Sequence, residues 1–405
     1  MDLPDHRRLG RQLDIFATEQ ECGAGLPFWL PAGAIIRDEL ERFVVDLERR
    51  RGYRHVDTPV MAKRELYERS GHWAHYQEDM YPPMQIGSEQ MVLRPMLCPH
   101  HILIYDRRPR GLRELPLRIA EVGSMFRNER SGVVGGLSRV RQSTLNDGHI
   151  FCGEEHVAEE VADVLAMVHE AYAALHIPAP RLRLSRGGEG PKFVADPRVW
   201  ERSEAMLRGA LGQTGASWQE AAGEAAFYGP KIDLQVTDPR GREETLSTIQ
   251  VDLVLPQRFG LRIDDRSPRP IIIHRSVIGT LERMAAHLLE VHDGALPAWL
   301  SPVQVLVLPA GDDARPYAAL VHRHLADQGL RSELDERDAT LGARVRGAQQ
   351  RKIPYLAIVG AREAADHTVS VRLRGGRQLT PMDLGAFGSL AQAVINAREL
   401  ELAGS

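Results

Sequence analysis

The chain is 405 residues long, 43% hydrophobic and 26% charged, which is long enough for two domains. Its formal net charge of −4 does not advertise nucleic-acid binding, so any RNA contact must come from basic residues clustered locally. No stretch is apolar enough to cross a bilayer and the N-terminus lacks a signal-peptide pattern; the three cysteines, Cys22, Cys98 and Cys152, argue against a disulfide scaffold and suit a reducing, cytoplasmic setting.

The first strong periodicity spans residues 31–51, where Ile36, Leu40, Phe43, Val44 and Leu47 recur at helical spacing and Gly52 follows as a stop. A short β-rich run, His55 to Val60, then carries Pro59. Strands are expected at Leu117 to Phe126, Leu137 to Thr144, Lys231 to Val236, Thr245 to Val251 and Pro270 to His274. The last runs into a helix that starts around Gly279 and carries Arg283. Together these segments predict a large antiparallel sheet flanked by helices, an α+β arrangement. Neither GxGxxG after a strand nor GxxxxGK[ST] is present, so dinucleotide-binding and P-loop folds lose support.

Glycine and two prolines interrupt the helical pattern at 294–302 and mark a domain boundary. Beyond it a strand at Val303 to Leu308 is followed by a helix near Ala314 to Gln328 and another short strand. A helix at Leu341 to Arg351, strands at Tyr355 to Val359 and Thr368 to Leu373, and a helix from Leu384 to Leu402 complete the pattern. This alternation predicts a small α/β domain with a mixed sheet. Arg344, Arg346, Arg351, Lys352, Arg372, Arg374 and Arg377 would give it a basic surface, or simply solvated helix and strand faces.

The most informative stretch is Gly123 to Glu129, which ends Phe-Arg-Asn-Glu and is followed by a turn-rich loop and Arg139. An arginine offers a planar fork of donors to a phosphate, and a glutamate two residues on can accept from an exocyclic amine. Alone, this spacing equally describes a surface salt bridge on a strand. It resembles motif 2 of the class II aminoacyl-tRNA synthetases. The helix at 31–51 with the Pro59 strand resembles motif 1, and Ile271 to Arg283 resembles motif 3, in the same order. SGHW at 70–73, PMLCPHH at 95–101, NDGHIF at 146–151, AFYGPKID at 226–233 and IIIHR at 271–275 narrow the resemblance to the threonyl-tRNA synthetases over nearly the whole chain.

That resemblance implies a catalytic domain at 1–297 and an anticodon-binding-type domain at 298–405, with no editing domain expected in cis. It implies activation of threonine by ATP with Mg²⁺, transfer to tRNA(Thr), and a homodimer built on motif 1. Arg127 would meet the α-phosphate and the attacking carboxylate, Glu129 the adenine amine, and Arg139 and Arg283 the terminal phosphates. Cys98, His149 and His274 would hold Zn²⁺, although their wide separation in sequence is not a metal signature by itself. Asp147 would accept from the substrate amine, with Tyr228, Lys231, Thr248 and Gln250 lining the pocket.

Several positions depart from the family pattern. Leu97 stands where asparagine is usual, His100 replaces a glycine, Ser143 replaces the phenylalanine that stacks on adenine, and Leu145 replaces a glutamine. In the C-terminal domain Asp338, Thr340 and Lys352 replace asparagine, lysine and arginine, while Glu363 and Arg372 match. Two other functions therefore stay open at this point. One is a ligase that passes a β-hydroxy or β-amino acyl adenylate to a carrier protein or small amine. The other is a catalytically weak regulatory or RNA-binding paralogue.

Overall fold

The computed structural model describes residues 3–264 and 268–403, so the outer ends of the two expected domains, 1 and 405, lie outside the described residues. The helix α1 (Pro31–Arg50) begins on a proline, whose missing N–H costs nothing in a first turn, and ends one residue short of the expected limit. Its stripe of Ile36, Leu40, Phe43, Val44 and Leu47 is buried in the main core of this same chain. Burial of such side chains contributes roughly 1.5–3 kcal/mol each. The exposed apolar residues near motif 1 are instead Val60 and Met61, at 40% and 39% exposure.

The large sheet contains β1 (Arg54–His55), β2 (Leu117–Phe126), β3 (Gln142–Cys152), β4 (Arg181–Arg186), β5 (Trp218–Ala222), β6 (Lys231–Thr237), β7 (Glu243–Asp252) and β8 (Ile271–Ser276). Its order is β5-β4-β6-β7-β8-β3-β2-β1, antiparallel except for the edge pairs β5–β4 and β1–β2. Both faces are covered. Ile150, Ile232, Ile249, Ile271 and Ile273 pack into the helical core, while Ile119, Phe151 and Ile272 join a second cluster with Cys98 and Tyr228. Period-two alternation thus assigns each strand residue to one of two buried faces.

Three expectations for this region need correction. Of the 55–60 run only His55 pairs in the sheet, together with Arg54 just before it, because Pro59 has no N–H for a ladder. The strand expected at 137–144 begins at Gln142 and continues to Cys152. The polar Asn-Asp-Gly-His run stays in the strand because its polar groups are satisfied within the fold: Asn146 donates to Glu48 and accepts from the Val277 N–H. The motif 3 helix, α3 (Leu281–Val291), starts after Thr280, whose hydroxyl caps the Arg283 N–H at 3.2 Å. Gly279 occupies a left-handed turn at φ +67° just before it.

The C-terminal sheet has β9 (Val305–Pro309), β10 (Ser332–Leu334), β11 (Tyr355–Val359), β12 (Thr368–Leu373) and β13 (Met382–Asp383), in the order β10-β9-β11-β12-β13. It is mixed, parallel on the β10-β9-β11 side and antiparallel beyond. The last helix stops at Ala397 rather than 402, because Arg398 turns left-handed at φ +54°. The expected basic surface is broken up. Arg344 is buried, donating to the carbonyls of Asp335 and Pro309, and Arg374 donates to those of Leu296 and Lys352. Arg351 pairs with Glu333 and Lys352 with Asp293. Among the described residues, no helix is long and apolar enough to cross a membrane.

Candidate active site

Strand register builds the site. His149 of β3 faces His274 of β8, His274 faces Gln250 of β7, and Gln250 faces Lys231 of β6. Four residues scattered widely along the sequence form one row across the sheet. Two residues along from this row, on the same face, lie Asp147 and Thr248. The helix α2 (Cys98–Asp106) starts over this face and brings Cys98 to the two histidines. One ligand atom each from Cys98, His149 and His274 lie within 4.8 Å of one another, and all three residues are buried.

These donors fit a zinc ion. One sulfur and two nitrogens suit its borderline softness, and three protein donors leave a position for substrate. The Nε2 of His274 lies 3.0 Å from Asp252 Oδ2, which leaves Nδ1 for the cluster. Asp252 is itself fixed by the N–H groups of Val254 and Leu255 at 2.7 and 2.9 Å. The Nε2 of His149 is buried with no hydrogen-bond partner among the described residues, as expected of a nitrogen reserved for a metal. Burial holds the His149 imidazole far below its usual range and so keeps it neutral, as a ligand must be. Burial likewise pushes the Cys98 thiol up, with Asp147 and Asp252 adding to the rise; a bound cation would reverse that balance.

Around this cluster, Tyr228 stacks on His274 with ring centroids 4.8 Å apart and donates to Gln250 at 2.6 Å. Gln250 donates onward to Thr248 at 3.3 Å. Lys231 pairs with Asp233 at 2.8 Å. The Asp147 carboxyl lies 4.0 Å from His149 Nε2, and burial raises its pKa.

Beyond the row, three arginines converge. Arg139 and Arg283 line a cavity of about 490 Å³ with Ser138, Glu244 and His287. Burial lowers the Arg283 pKa, and the charges of Arg127 and Arg139 lower it further against the pull of Glu244. Arg283 donates to the Ser138 carbonyl at 3.2 Å. The Arg127 guanidinium donates to Met96 Sδ at 3.4 Å and has no carboxylate partner among the described residues. Arg139 does have one, Glu129 at 2.8 Å, so the two motif 2 residues expected at opposite ends of a nucleotide meet each other here. Crowded guanidinium groups with incomplete balance make an anion site.

Segments of this chain match two family models: the tRNA synthetase class II core domain (G, H, P, S and T) over residues 83–292, and the anticodon binding domain over 304–393. A solved structure of the RNA binding domain of threonyl-tRNA synthetase from Cryptosporidium parvum superposes with a TM-score of 0.91 at 34% identity, covering 98% of this chain and 99% of that one. The chain belongs to the threonyl-tRNA synthetase family. The threonine–tRNA ligase of Enterococcus faecalis is 47% identical over 401 residues, and that of Streptococcus sanguinis 49% over 390. These alignments cover 97% and 95% of this chain but 62% and 60% of the relatives' own length.

The departures from the family pattern have definite positions. Leu97 is fully buried at the start of α2, and Ser143 and Leu145 lie opposite Met125 and Gly123 on the site face. Four residues near Cys98, His149 and His274 were not singled out from the sequence. His72 Nε2 lies 3.5 Å from Cys98 Sγ, and burial, aided by the nearby His274, holds its pKa at about 3. Asp252 backs His274, while His101 and Glu121 stand behind His149. His101 sat within the PMLCPHH run, but nothing in a sequence separates it from its neighbour His100.

Proposed function

We propose that this chain activates threonine with ATP and transfers the threonyl group to tRNA(Thr). The observation that carries this is the buried cysteine–histidine–histidine cluster set on the same sheet face as Asp147 and beside the three arginines.

Amino-acid activation is attack of a carboxylate on the α-phosphorus of ATP with pyrophosphate leaving, so the protein must mainly align reactants and balance negative charge. Arg127 would bridge the α-phosphate and the attacking carboxylate, which its lack of a carboxylate partner leaves it free to do. Arg139 and Arg283 would meet the terminal phosphates and their Mg²⁺, and Glu129 would take the adenine amine on exchanging its Arg139 contact. Cys98, His149 and His274 would hold the zinc, and Asp147 would accept from the substrate ammonium. When bound, the metal supplies a Lewis-acid site for the amino and β-hydroxyl groups of threonine. Valine has no such hydroxyl, so selection does not rest on apolar packing alone. Tyr228, Gln250, Thr248 and Lys231 would wall the pocket, held in place by their hydrogen bonds.

The same reading makes the protein a cytoplasmic homodimer, joined through the motif 1 segment where Val60 and Met61 are exposed. A second reading, transfer to a carrier protein or small amine, draws support from the C-terminal domain. There the Thr340 hydroxyl is used to cap its own helix and the Lys352 amine is paired with Asp293. Charging of unfractionated tRNA with labelled threonine decides between them. Threonyl-tRNA formation is expected, and adenylate formation without any charging would favour the second reading.

A further inference from the structure

Behind His149 runs a buried chain of hydrogen bonds that ends in motif 1. His149 Nδ1 lies 2.7 Å from His101 Nδ1, and His101 Nε2 lies 3.2 Å from Glu121 Oε2. The same Glu121 oxygen accepts from the Thr58 hydroxyl at 2.7 Å, while Arg94 pairs with the other at 2.9 Å. Arg94 also donates to the Thr58 hydroxyl at 2.7 Å, which commits that hydroxyl's own proton to Glu121. His101 and His149 are fully buried, and Glu121 and Arg94 are each 2% exposed.

For a neutral His101, only one proton arrangement satisfies every contact. Glu121 pairs with Arg94 and accepts from Thr58, so the His101 nitrogen that faces it must donate. A neutral His101 must therefore carry its proton on Nε2, facing the carboxylate, and present a lone pair at Nδ1. His149 must then donate from its own Nδ1, and its Nε2 is left as a bare lone pair. That is the nitrogen with no hydrogen-bond partner among the described residues. The opposite arrangement would set the His101 Nε2 lone pair against a carboxylate oxygen and would put a proton on His149 Nε2.

We propose that His101 and Glu121, anchored by Arg94 and Thr58, are positioning residues that fix the tautomer and orientation of His149 and so set the affinity of the metal site. This rests on the assignment of Cys98, His149 and His274 as metal ligands. His274 is held directly by a carboxylate, Asp252, whereas His149 is held by one through an intervening ring. Groups that orient metal-bound histidines typically change metal affinity about 10–100-fold when removed.

The test measures zinc affinity of the full chain, stripped and reloaded with Zn²⁺ alone, by competition with a chromophoric chelator, with circular dichroism to establish folding. An asparagine amide can occupy the place of a histidine Nδ1, and a glutamine amide the place of Nε2. His101→Asn keeps an acceptor for His149 but loses Glu121, whereas His101→Gln keeps only the contact to Glu121; His101→Gln should weaken zinc binding about 10–100-fold and His101→Asn clearly less. A purely structural role for His101 gives the two variants the same affinity, and that result would overturn the proposal. Thr58→Val, which touches neither ring, should weaken zinc by at least about threefold, and it decides the question if His101→Gln does not fold; unchanged affinity would count against the relay. Cys98→Ser separates the two levels. If it retains zinc as well as the parent does, the ligand assignment fails; if it loses zinc while both His101 variants keep it, only the relay fails.

Discussion

Glu48 joins the motif 1 helix to the two strands that carry His149 and His274, and its removal should be felt throughout that junction. Its Oε1 lies 2.6 Å from Arg275 Nη1 and accepts from Asn146 Nδ2 at 2.7 Å, while Oε2 lies 3.0 Å from His55 Nε2. Both Glu48 and Arg275 side chains are fully buried, and the Arg275 guanidinium also lies 4.1 Å from the Tyr53 ring. The Arg275 contact is a close ion pair rather than a linear hydrogen bond, since Nη1 meets no hydrogen-bond partner of good angle among the described residues. Glu48→Gln keeps the shape and removes the charge, leaving a buried guanidinium without its counter-ion. Breaking one side of such a pair costs about 3–5 kcal/mol, a large part of the roughly 5–15 kcal/mol that holds a folded protein together. Urea unfolding of the parent and variant reads the difference. The double variant Glu48→Gln with Arg275→Met should recover most of the loss, because no charge is then stranded. The pair also sets an acid limit. Burial alone would raise the Glu48 pKa, but Arg275, His55 and Asn146 outweigh it and hold it below the usual range. A depressed carboxyl contributes stability that is present above its unfolded pKa, about 4.5, and is lost as pH falls through the folded value. The parent should therefore lose stability in that acid window, and the loss should be smaller in Glu48→Gln. A variant within about 1 kcal/mol of the parent at neutral pH, with an unchanged acid profile, would refute the reasoning.

Arg127→Ala should lower threonine-dependent pyrophosphate exchange by about 10²–10³-fold, as expected for loss of one donor to transition-state charge, while leaving thermal unfolding nearly unchanged because, among the described residues, its side chain hydrogen-bonds only to Met96. Cys98→Ser should lose zinc by elemental analysis together with threonine activation, and a metal-free chain that still activates threonine would contradict the zinc assignment. Sedimentation should find a homodimer that Met61→Glu weakens, since Met61 and Val60 are the exposed apolar residues beside Pro59; a stable, active monomer would refute that interface.

Much of the fold was legible because its signals are local. The stripe of α1 and the strand Leu117–Phe126 emerge at the expected positions, and so do Tyr355–Val359 and Thr368–Leu373. The misread segments are those where a distant partner overrides local chemistry. The strand expected to end at Thr144 runs on through Asn146 to His149 because Glu48, Val277 and His101 supply partners for their polar groups. Arg344 reads as a surface cation until two carbonyls bury it. The site residues could be named from a resemblance, but their common row could not be derived. Register between β3, β8, β7 and β6 links residues far apart in sequence, and no local pattern encodes it. The relay behind His149 was less legible still, because the choice between His100 and His101 depends on which helix face meets β3.

Pyrophosphate exchange with threonine, serine and valine, run side by side on the zinc-loaded chain, tests the proposed activity most directly. Threonine should support exchange far better than valine, because only threonine offers a hydroxyl to the open metal position. Serine should support measurable exchange, because it lacks only a methyl group, worth about 1–3 kcal/mol in a pocket. Exchange with valine equal to that with threonine, or no exchange with any of the three, would contradict it.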